Sequence, residues 1–178
     1  MSRDDLQKIN ADIVKTCATG GGGTDKEEPD IRNMTQEEID AIVDEAHAFH
    51  KTAAVHCFTP NGQRMALAAG ADTIEHMVFH DDETIDMIAE AGTWMTPTLL
   101  HRTDHAIGTR KDQGTSQFVL NKMKALQPYC FETFQKMHKA GVNIRAVRMP
   151  AFKSGSETTT AVLGGHTDVL VTSLSSSL

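Results

Sequence analysis

Residues 53–76 read AAVHCFTPNGQRMALAAGADTIEH. Two short runs typical of β-strands, residues 53–57 and 72–76, enclose a segment of helical character. Similar strand-like runs occur at residues 12–16 and 93–96. Because strands that alternate with helices form parallel sheets with crossover helices, the sequence predicts an α/β fold.

The segments between the strands carry helix signals. Thr35 and Glu38 form a capping box, which predicts a helix that begins just after Met34. A second helix is predicted to open near Asp81 or Asp82 and to stop at Gly92, where glycine easily adopts a left-handed cap. The first helix carries one apolar stripe, made of Ile39, Ile42, Val43, Ala46 and Phe49.

The region after the fourth strand is less regular. Residues 101–116 are polar, contain glycine and lack periodicity, so we expect a long loop of the kind that often carries function. A third helix is predicted from about Pro128 to Gly141, with one side formed by Phe131, Phe134 and His138.

Composition narrows the class of protein. The chain has 178 residues, 39% of them hydrophobic and 23% charged, which is typical of globular domains. We expect a cytoplasmic protein with no membrane partner, because there is no apolar run that could span a bilayer and no secretory signal at the start. The net charge of −7, spread along the chain, argues against nucleic acid as a partner. Three widely separated cysteines predict buried thiols, neither a disulfide framework nor a zinc knuckle: Cys17, Cys57 and Cys130.

Three side chains that can bind metal stand near the C-terminal ends of predicted strands: Lys15, His56 and His76. In a parallel α/β barrel these strand ends converge on one face, where active sites are built. Imidazole is a good zinc ligand, and a lysine that loses its proton can react with carbon dioxide to give a metal-bridging carbamate. The pattern alone leaves open that the histidines are hydrogen-bonded structural residues and that the lysine is a solvated edge residue.

Five short motifs occur in a characteristic order and spacing. Together with the capping-box helix, they resemble the metal-dependent amidohydrolase superfamily, and most closely its imidazolonepropionase-like and prolidase-like branch. The resemblance covers about residues 5–145 and is specific only when the motifs are taken together, namely residues 12–15, 18–21, 55–56, 74–76 and 97–99.

The resemblance implies a distorted (β/α)8 TIM-like barrel, of which this chain would hold about strands 4–8. It also implies one or two divalent metals, usually zinc, that activate water to attack an amide or related carbonyl bond. By resemblance, Lys15 is the carboxylated lysine that bridges the metals, and His56 and His76 are ligands on the next two strands. The loops bordering the substrate pocket would contain Thr19, Gly20, Gly21, Pro97 and Thr98.

Two parts of the family's site are missing from the sequence. The His-x-His pair of the first strand lies upstream of anything present, and the general-base aspartate expected after residues 138–144 is replaced by the run 145–148, which reads RAVR. About five of eight strands are predicted, so the barrel cannot close within one chain. We therefore expect a truncated catalytic domain whose open sheet edges favour a homo-oligomer or a complementing chain.

The C-terminal part has a different character. From about residue 140 the sequence resembles a fragment of a tricarboxylate-transporter-type solute-binding protein, chiefly through LGGHTDV at residues 163–169. Two domains are thus predicted: a partial metal-binding barrel at 1–145 and a short α/β segment with a frayed tail at 146–178.

Two functions remain open from the sequence. The first is a zinc-dependent or other metal-dependent hydrolase of C–N bonds acting on a small molecule or dipeptide, and the second is a non-catalytic fragment or binding module that keeps remnants of the site. The glycine run 20–23 lacks the ending of a phosphate-binding P-loop. The remaining histidines are weaker candidates: His47, His50 and His138 on helices, His80 at a helix start, and His101 and His105 in the predicted loop.

Overall fold

The computed structural model describes residues 12–145, which belong to one compact unit of the chain, Met1–Arg145. Four parallel strands form a sheet in chain order: β1 (Ile13–Cys17), β2 (Thr52–Cys57), β3 (Thr73–His76) and β4 (Trp94–Thr96). Each begins and ends within one residue of its predicted bounds. The predicted α/β class with a parallel sheet is therefore confirmed, whereas the assignment of the sheet to about strands 4–8 of a partial (β/α)8 barrel stays a prediction.

Three helices connect these strands: α1 (Gln36–Ala48), α2 (Pro60–Ala68) and α3 (Asp82–Ala91). The predicted capping box of α1 is present, because Thr35 Oγ1 accepts from Glu38 N at 3.3 Å and Glu38 Oε2 accepts from Thr35 N at 2.8 Å. Helix α3 is capped by the Asp81 side chain and ends at Gly92, whose φ is 67°. Both local predictions are confirmed.

The helices bury one face of the sheet. Alternate strand residues such as Val14, Val55 and Ile74 point into the main core, where they meet apolar residues of all three helices. The other face carries the intervening residues, which include Lys15 and His56. This alternation is why the side chains capable of chemistry lie away from the helix-covered core.

The predicted loop at 101–116 is wrong. A 3-10 helix covers Leu99–Arg102, and α4 spans Asp104–Asp112 with Thr103 as its cap. Helix α4 buries only Ile107 among polar neighbours, so it lacks the apolar periodicity that would reveal it.

Helix α5 (Gln117–Lys139) begins about three turns before the predicted start at Pro128, which lies inside it. Ser116 Oγ accepts from Val119 N at 3.3 Å and caps the true start. The helix continues through Pro128 because the free energy gained by burying residues on both sides of it exceeds the free energy lost with the one hydrogen bond that proline cannot donate. Phe131, on the side predicted from the sequence, is exposed, and the buried residues of α5 are Val119, Leu120, Lys122, Met123, Leu126, Cys130, Thr133 and Met137.

After α5 the chain returns to the sheet beside β4. Ile144 forms a parallel bridge with Met95, whose backbone N–H donates to Asn143 O at 2.8 Å and whose carbonyl accepts from Arg145 N at 2.7 Å. The backbone of residues 143–145 thus pairs with β4.

The segments 1–11 and 146–178 lie outside the described residues. The predicted C-terminal domain and its solute-binding-protein resemblance fall there, except for the first few residues, and stay predictions. Within residues 12–145, no helix is long and apolar enough to cross a membrane.

Candidate functional site

Two histidines at the ends of neighbouring strands lie side by side. His56 is the penultimate residue of β2, and His76 is the last residue of β3. Their ring centroids are 4.5 Å apart and the ring planes meet at 62°, an edge-to-face contact. The structure therefore brings together the two imidazoles that the sequence singled out.

The backbone at the end of β3 directs His76 toward His56. In the strand register His56 pairs with Glu75 and Cys57 pairs with His76, so a regular pleat would send the two imidazoles to opposite faces. His76 and Met77 instead have φ values of 77° and 36°, in a region that residues other than glycine rarely occupy. Such strain costs about 1–3 kcal/mol per residue, and it persists where the surrounding packing enforces it.

Hydrogen bonds hold both rings. His76 Nδ1 lies 2.7 Å from Thr98 Oγ1, and His56 Nε2 donates to the Gly20 carbonyl oxygen at 3.0 Å. His76 Nε2 faces Glu75 Oε2 at 3.9 Å, beyond hydrogen-bond distance. One ring nitrogen bonded to the protein and the other left available is the arrangement common among metal-binding histidines.

Lys15 lies on the same face of the sheet as His56. Its register partner is Ala54, two residues before His56, so the pleat points both side chains to one side. Lys15 Nζ donates to Glu75 Oε2. Glu75 thus joins Lys15 to the histidine pair, a role that the sequence motif containing it did not indicate.

Burial favours the neutral forms of these groups. It lowers the pKa of His76 well below the usual range for histidine, assisted by the charge of His56 and neighbouring cations. Burial also lowers the pKa of His56, against a hydrogen bond to Gly20 that raises it. It lowers the pKa of Lys15 as well, whereas the charge of the nearby Cys17 thiol raises that pKa. Neutral imidazole binds metals, and an amine must be neutral to react with carbon dioxide.

An aromatic ring and a buried arginine form one wall of the site. Phe58 stacks on His56 with centroids 4.7 Å apart and meets His76 at 5.5 Å. The Arg102 guanidinium carbon lies 5.4 Å from the centre of the Phe58 ring, and only 7% of Arg102 is exposed. Sequence reasoning missed both residues, since Arg102 lies in the segment predicted as a loop and Phe58 follows a strand without a motif of its own.

The loop after β1 contacts His56, and its place in a substrate pocket stays a prediction. Thr19 Oγ1 accepts from Phe58 N at 2.9 Å, and the Gly20 carbonyl holds His56. A side chain at Gly20 would meet the Glu28 carbonyl oxygen at 2.1 Å, so only glycine fits there. Across the site, Thr98 contacts His76, and Pro97 is buried beside it in the chain.

The donor set fits part of the shell of a divalent metal. Two neutral imidazoles lie side by side, and imidazole nitrogen is a standard zinc ligand. Among residues 12–145, no group of three or more His, Cys, Asp or Glu residues could hold a metal ion. The described part of the chain therefore offers two nitrogen ligands, and Lys15 is the neighbouring group that could become a third.

Three of the other candidate histidines have structural partners. His47 Nε2 lies 2.8 Å from Asp72 Oδ2, His80 Nδ1 lies 2.7 Å from Thr133 Oγ1, and His138 stacks on Phe134. The prediction that His101 and His105 lie in a loop is wrong, because His101 belongs to the 3-10 helix and His105 to α4. The predicted buried thiols are found at Cys57 and Cys130, whereas Cys17 is half-buried.

Comparison with known proteins places these features in a family. The amidohydrolase family model matches residues 3–124, which is more than half of the chain. The chain belongs to the amidohydrolase family. Ochratoxinase of Aspergillus niger is 25% identical over 134 residues, which make up 75% of this chain and 28% of ochratoxinase. The family resemblance inferred from the motifs is thereby confirmed.

Solved structures of a dipeptidase and a prolidase have a similar fold over the part that this chain covers. A Xaa-Pro dipeptidase with methionine bound in its active site is 33% identical, with a TM-score of 0.70 over 79% of this chain and 35% of that protein. A prolidase complexed with N-methylphosphonate-L-proline is 26% identical, with a TM-score of 0.74 over 89% of this chain and 41% of the prolidase. The chain thus spans less than half of each of these relatives.

Proposed function

We propose that this chain carries part of the active site of a metal-dependent amidohydrolase that cleaves C–N bonds in amides, peptides or cyclic amides. The observation that carries the proposal is the contact between the His56 and His76 imidazoles, 4.5 Å apart at the C-terminal ends of neighbouring parallel strands. Parallel α/β barrels build their active sites at that end. The prolidase and Xaa-Pro dipeptidase neighbours make dipeptides the first substrate class to test.

Each residue of the site has a role in this proposal. His56 and His76 would hold zinc or another divalent ion, and Lys15 would become a further ligand once its neutral amine reacts with carbon dioxide and loses a proton to give a carbamate. A bound ion of this kind polarises the scissile carbonyl and lowers the pKa of a water molecule. Glu75 positions Lys15, and Thr98 orients the His76 ring so that Nε2 is presented to the site.

The proposed site is incomplete within residues 12–145. The family's first-strand histidine pair and its general-base aspartate are supplied, in this proposal, by further sequence or by a second chain. The free edge of β1 is the place where another strand would add, because β1 pairs only with β2 among the described strands. Ile13 on this strand is 51% exposed.

The competing function is a non-catalytic fragment or a small-molecule binding module that keeps only remnants of the metal site. Two observations favour it, and the first is that the described residues contain no cluster of three His, Cys, Asp or Glu ligands. The ion pair between Lys15 and Glu75 also suits a structural role for the lysine.

Metal analysis and a dipeptide screen separate the two functions. The purified chain is tested for zinc content and for hydrolysis of Xaa-Pro and other dipeptides with added Zn²⁺, beside His76→Ala and the control His105→Ala on exposed α4. The proposed function requires zinc binding that His76→Ala abolishes and His105→Ala retains, with hydrolysis wherever self-assembly or a complementing chain completes the site. A chain that keeps less than one zinc and shows no turnover with any dipeptide, alone or assembled, contradicts it.

A further inference from the structure

A groove lies between α4 and α5, and no residue of the histidine site lines it. Its volume is about 420 Å³, and pockets that hold small organic molecules measure about 300–1,000 Å³. The groove is therefore large enough for a small ligand. The proposed hydrolase assigns no role to any residue that lines it.

Helix α4 presents one face to the groove. Asp104, Ile107, Gly108 and Lys111 line it, and residues three, four and seven apart share one side of a helix. Gly108 stands in the middle of this face. An added Cβ at Gly108 would meet nothing within 4 Å, so the fold does not require glycine there. Glycine is less favourable than alanine inside a helix, and what its missing side chain provides at this position is open space in the groove.

Helix α5 supplies the facing side through Gln117, Leu120 and Lys124, which again stand at helical spacing. The floor is apolar, since Ile107 and Leu120 are 4% and 5% exposed and belong to one cluster of buried residues. The lysines of both helices are exposed on the rim. An apolar floor beneath a few charged groups is the pattern of a site for an amphipathic ligand.

The charges on the rim differ between the two ends of the groove. Gln127 Nε2 donates to Asp104 Oδ1 at 3.2 Å, so the start of α4 lies beside the third turn of α5 and the two helices run antiparallel. Asp104 and Lys124 therefore share one end, where their charges offset each other, and Lys111 stands at the other end. No ion pair among residues 12–145 includes Lys111. One positive charge is thus left for a ligand, in a chain whose net charge is −7.

We propose that this groove binds a small organic monoanion with an apolar body, such as an aromatic acid. The anionic head lies at Lys111, and the apolar body covers Ile107 and Leu120. An anion without an apolar part would leave the floor of the groove exposed, and an uncharged apolar ligand would leave the lysine without a partner. This binding is independent of the proposed hydrolase, because it needs neither metal nor turnover.

Three ligands separate the contributions of charge and of apolar area. 2-Naphthoate carries both, 2-naphthamide replaces the carboxylate by an uncharged amide, and acetate lacks the apolar body. Binding of each to the full chain is measured by isothermal titration, and the methyl signals of Ile107 and Leu120 in NMR report whether the ligand lies in the groove. We expect 2-naphthoate to shift both methyl signals and to bind about three- to tenfold more tightly than 2-naphthamide, because a charge pair at an exposed rim contributes modestly. Acetate should leave both signals unchanged.

Two variants assign the binding to the groove. Gly108→Leu places a side chain in the open space and should weaken the binding of 2-naphthoate at least about tenfold, while the helix is retained because leucine is a better helix former than glycine. Lys111→Met should bind 2-naphthoate and 2-naphthamide equally. The control Arg110→Met removes one positive charge from the same helix, outside the lining of the groove, and should keep the preference. Circular dichroism checks each variant, and if Gly108→Leu fails to fold, Lys111→Met decides.

The proposal is overturned if 2-naphthoate leaves the Ile107 and Leu120 signals unchanged, if it binds no more tightly than 2-naphthamide, or if a folded Gly108→Leu variant binds it as the unmodified chain does. Methyl shifts that depend on protein concentration without any ligand would show a second copy in the groove, and would also overturn it. His76→Ala, which removes part of the histidine site, should keep the binding of 2-naphthoate. Loss of binding in that variant would assign the ligand to the histidine site and contradict the proposal.

Discussion

Replacement of Gly62 by alanine tests how the packing of α2 supports the site. Gly62 lies in the first turn of α2, and an added Cβ would approach Thr19 Cγ2 to 2.4 Å, far inside van der Waals contact. Thr19 is 4% exposed, and its hydroxyl accepts from Phe58 N at 2.9 Å. Thr19 therefore cannot withdraw without disturbing Phe58, the ring on which His56 stacks.

Two opposing effects set the size of the change. Gly→Ala at a helical position without strain stabilises a protein by about 0.4–1 kcal/mol, whereas overpacking a filled core costs about 1–3 kcal/mol. We expect the clash to win, so that Gly62→Ala lowers the free energy of unfolding by about 1–2 kcal/mol. Gly108→Ala in α4 is the matched control, because nothing lies within 4 Å of its added Cβ. It should stabilise the chain by about 0.4–1 kcal/mol.

Urea denaturation of the two variants measures both effects, and a second background identifies the cause. Thr19→Ser removes the methyl group that clashes and keeps the hydroxyl that Phe58 needs. In that background Gly62→Ala should change sign and become neutral or stabilising. The packing argument fails if Gly62→Ala stabilises as Gly108→Ala does, or if Thr19→Ser leaves the effect of Gly62→Ala unchanged.

Three further predictions concern caps and titration. Thr35→Ala removes the α1 capping box and should cost about 1 kcal/mol of stability in urea denaturation, whereas Thr35→Ser should cost little; equal losses would contradict the capping role. A hydrogen bond from the Thr84 hydroxyl, with further donors, holds the pKa of Asp81 below its ordinary value. The ionised Asp81 carboxylate therefore stabilises the folded chain above about pH 4, and this stabilisation is lost as the pH falls further. Asp81→Asn should accordingly reduce the fall of Tm between pH 5 and 3, and an unchanged slope of Tm against pH would count against this role of Asp81. Burial lowers the pKa of His76, so as the pH drops below about 6.5 the histidine is protonated in the unfolded chain before the folded one, and the free energy of unfolding falls. In NMR the His76 Cε1–H signal should stay at the position of the neutral ring at pH 6. A titration midpoint of that signal at or above pH 6.5 would refute this prediction.

The strands and two of the helices could be predicted because their signals are local. The capping box at Thr35 and the glycine stop at Gly92 each act within one turn, and the strand runs are bounded by breaks in the helical pattern. The family motifs also placed His56 and His76 at the same edge of the sheet. Each of these features depends on residues close together in the chain.

The rest depends on contacts between distant residues. Helix α4 is held largely by Ile107 packing on α5, and the early start of α5 results from burial on both sides of Pro128. The left-handed backbone at His76 has no local sequence signal, and the carboxylate of Glu75 accepts a hydrogen bond from Lys15, sixty residues away in the chain. The family resemblance indicates which residues are candidate metal ligands, whereas only the folded structure shows which side chains fix those residues in position.

The central claim is that His56 and His76 form one metal-binding unit at the ends of β2 and β3. Zinc titration of the metal-free chain by calorimetry tests it most directly, with His56→Ala, His76→Ala and the control His105→Ala beside the unmodified protein. We expect about one zinc per chain, lost with either site variant and kept in the control, since each imidazole supplies one ligand. Zinc binding that is unchanged in folded His56→Ala and His76→Ala, or absent from the unmodified chain, would contradict the claim.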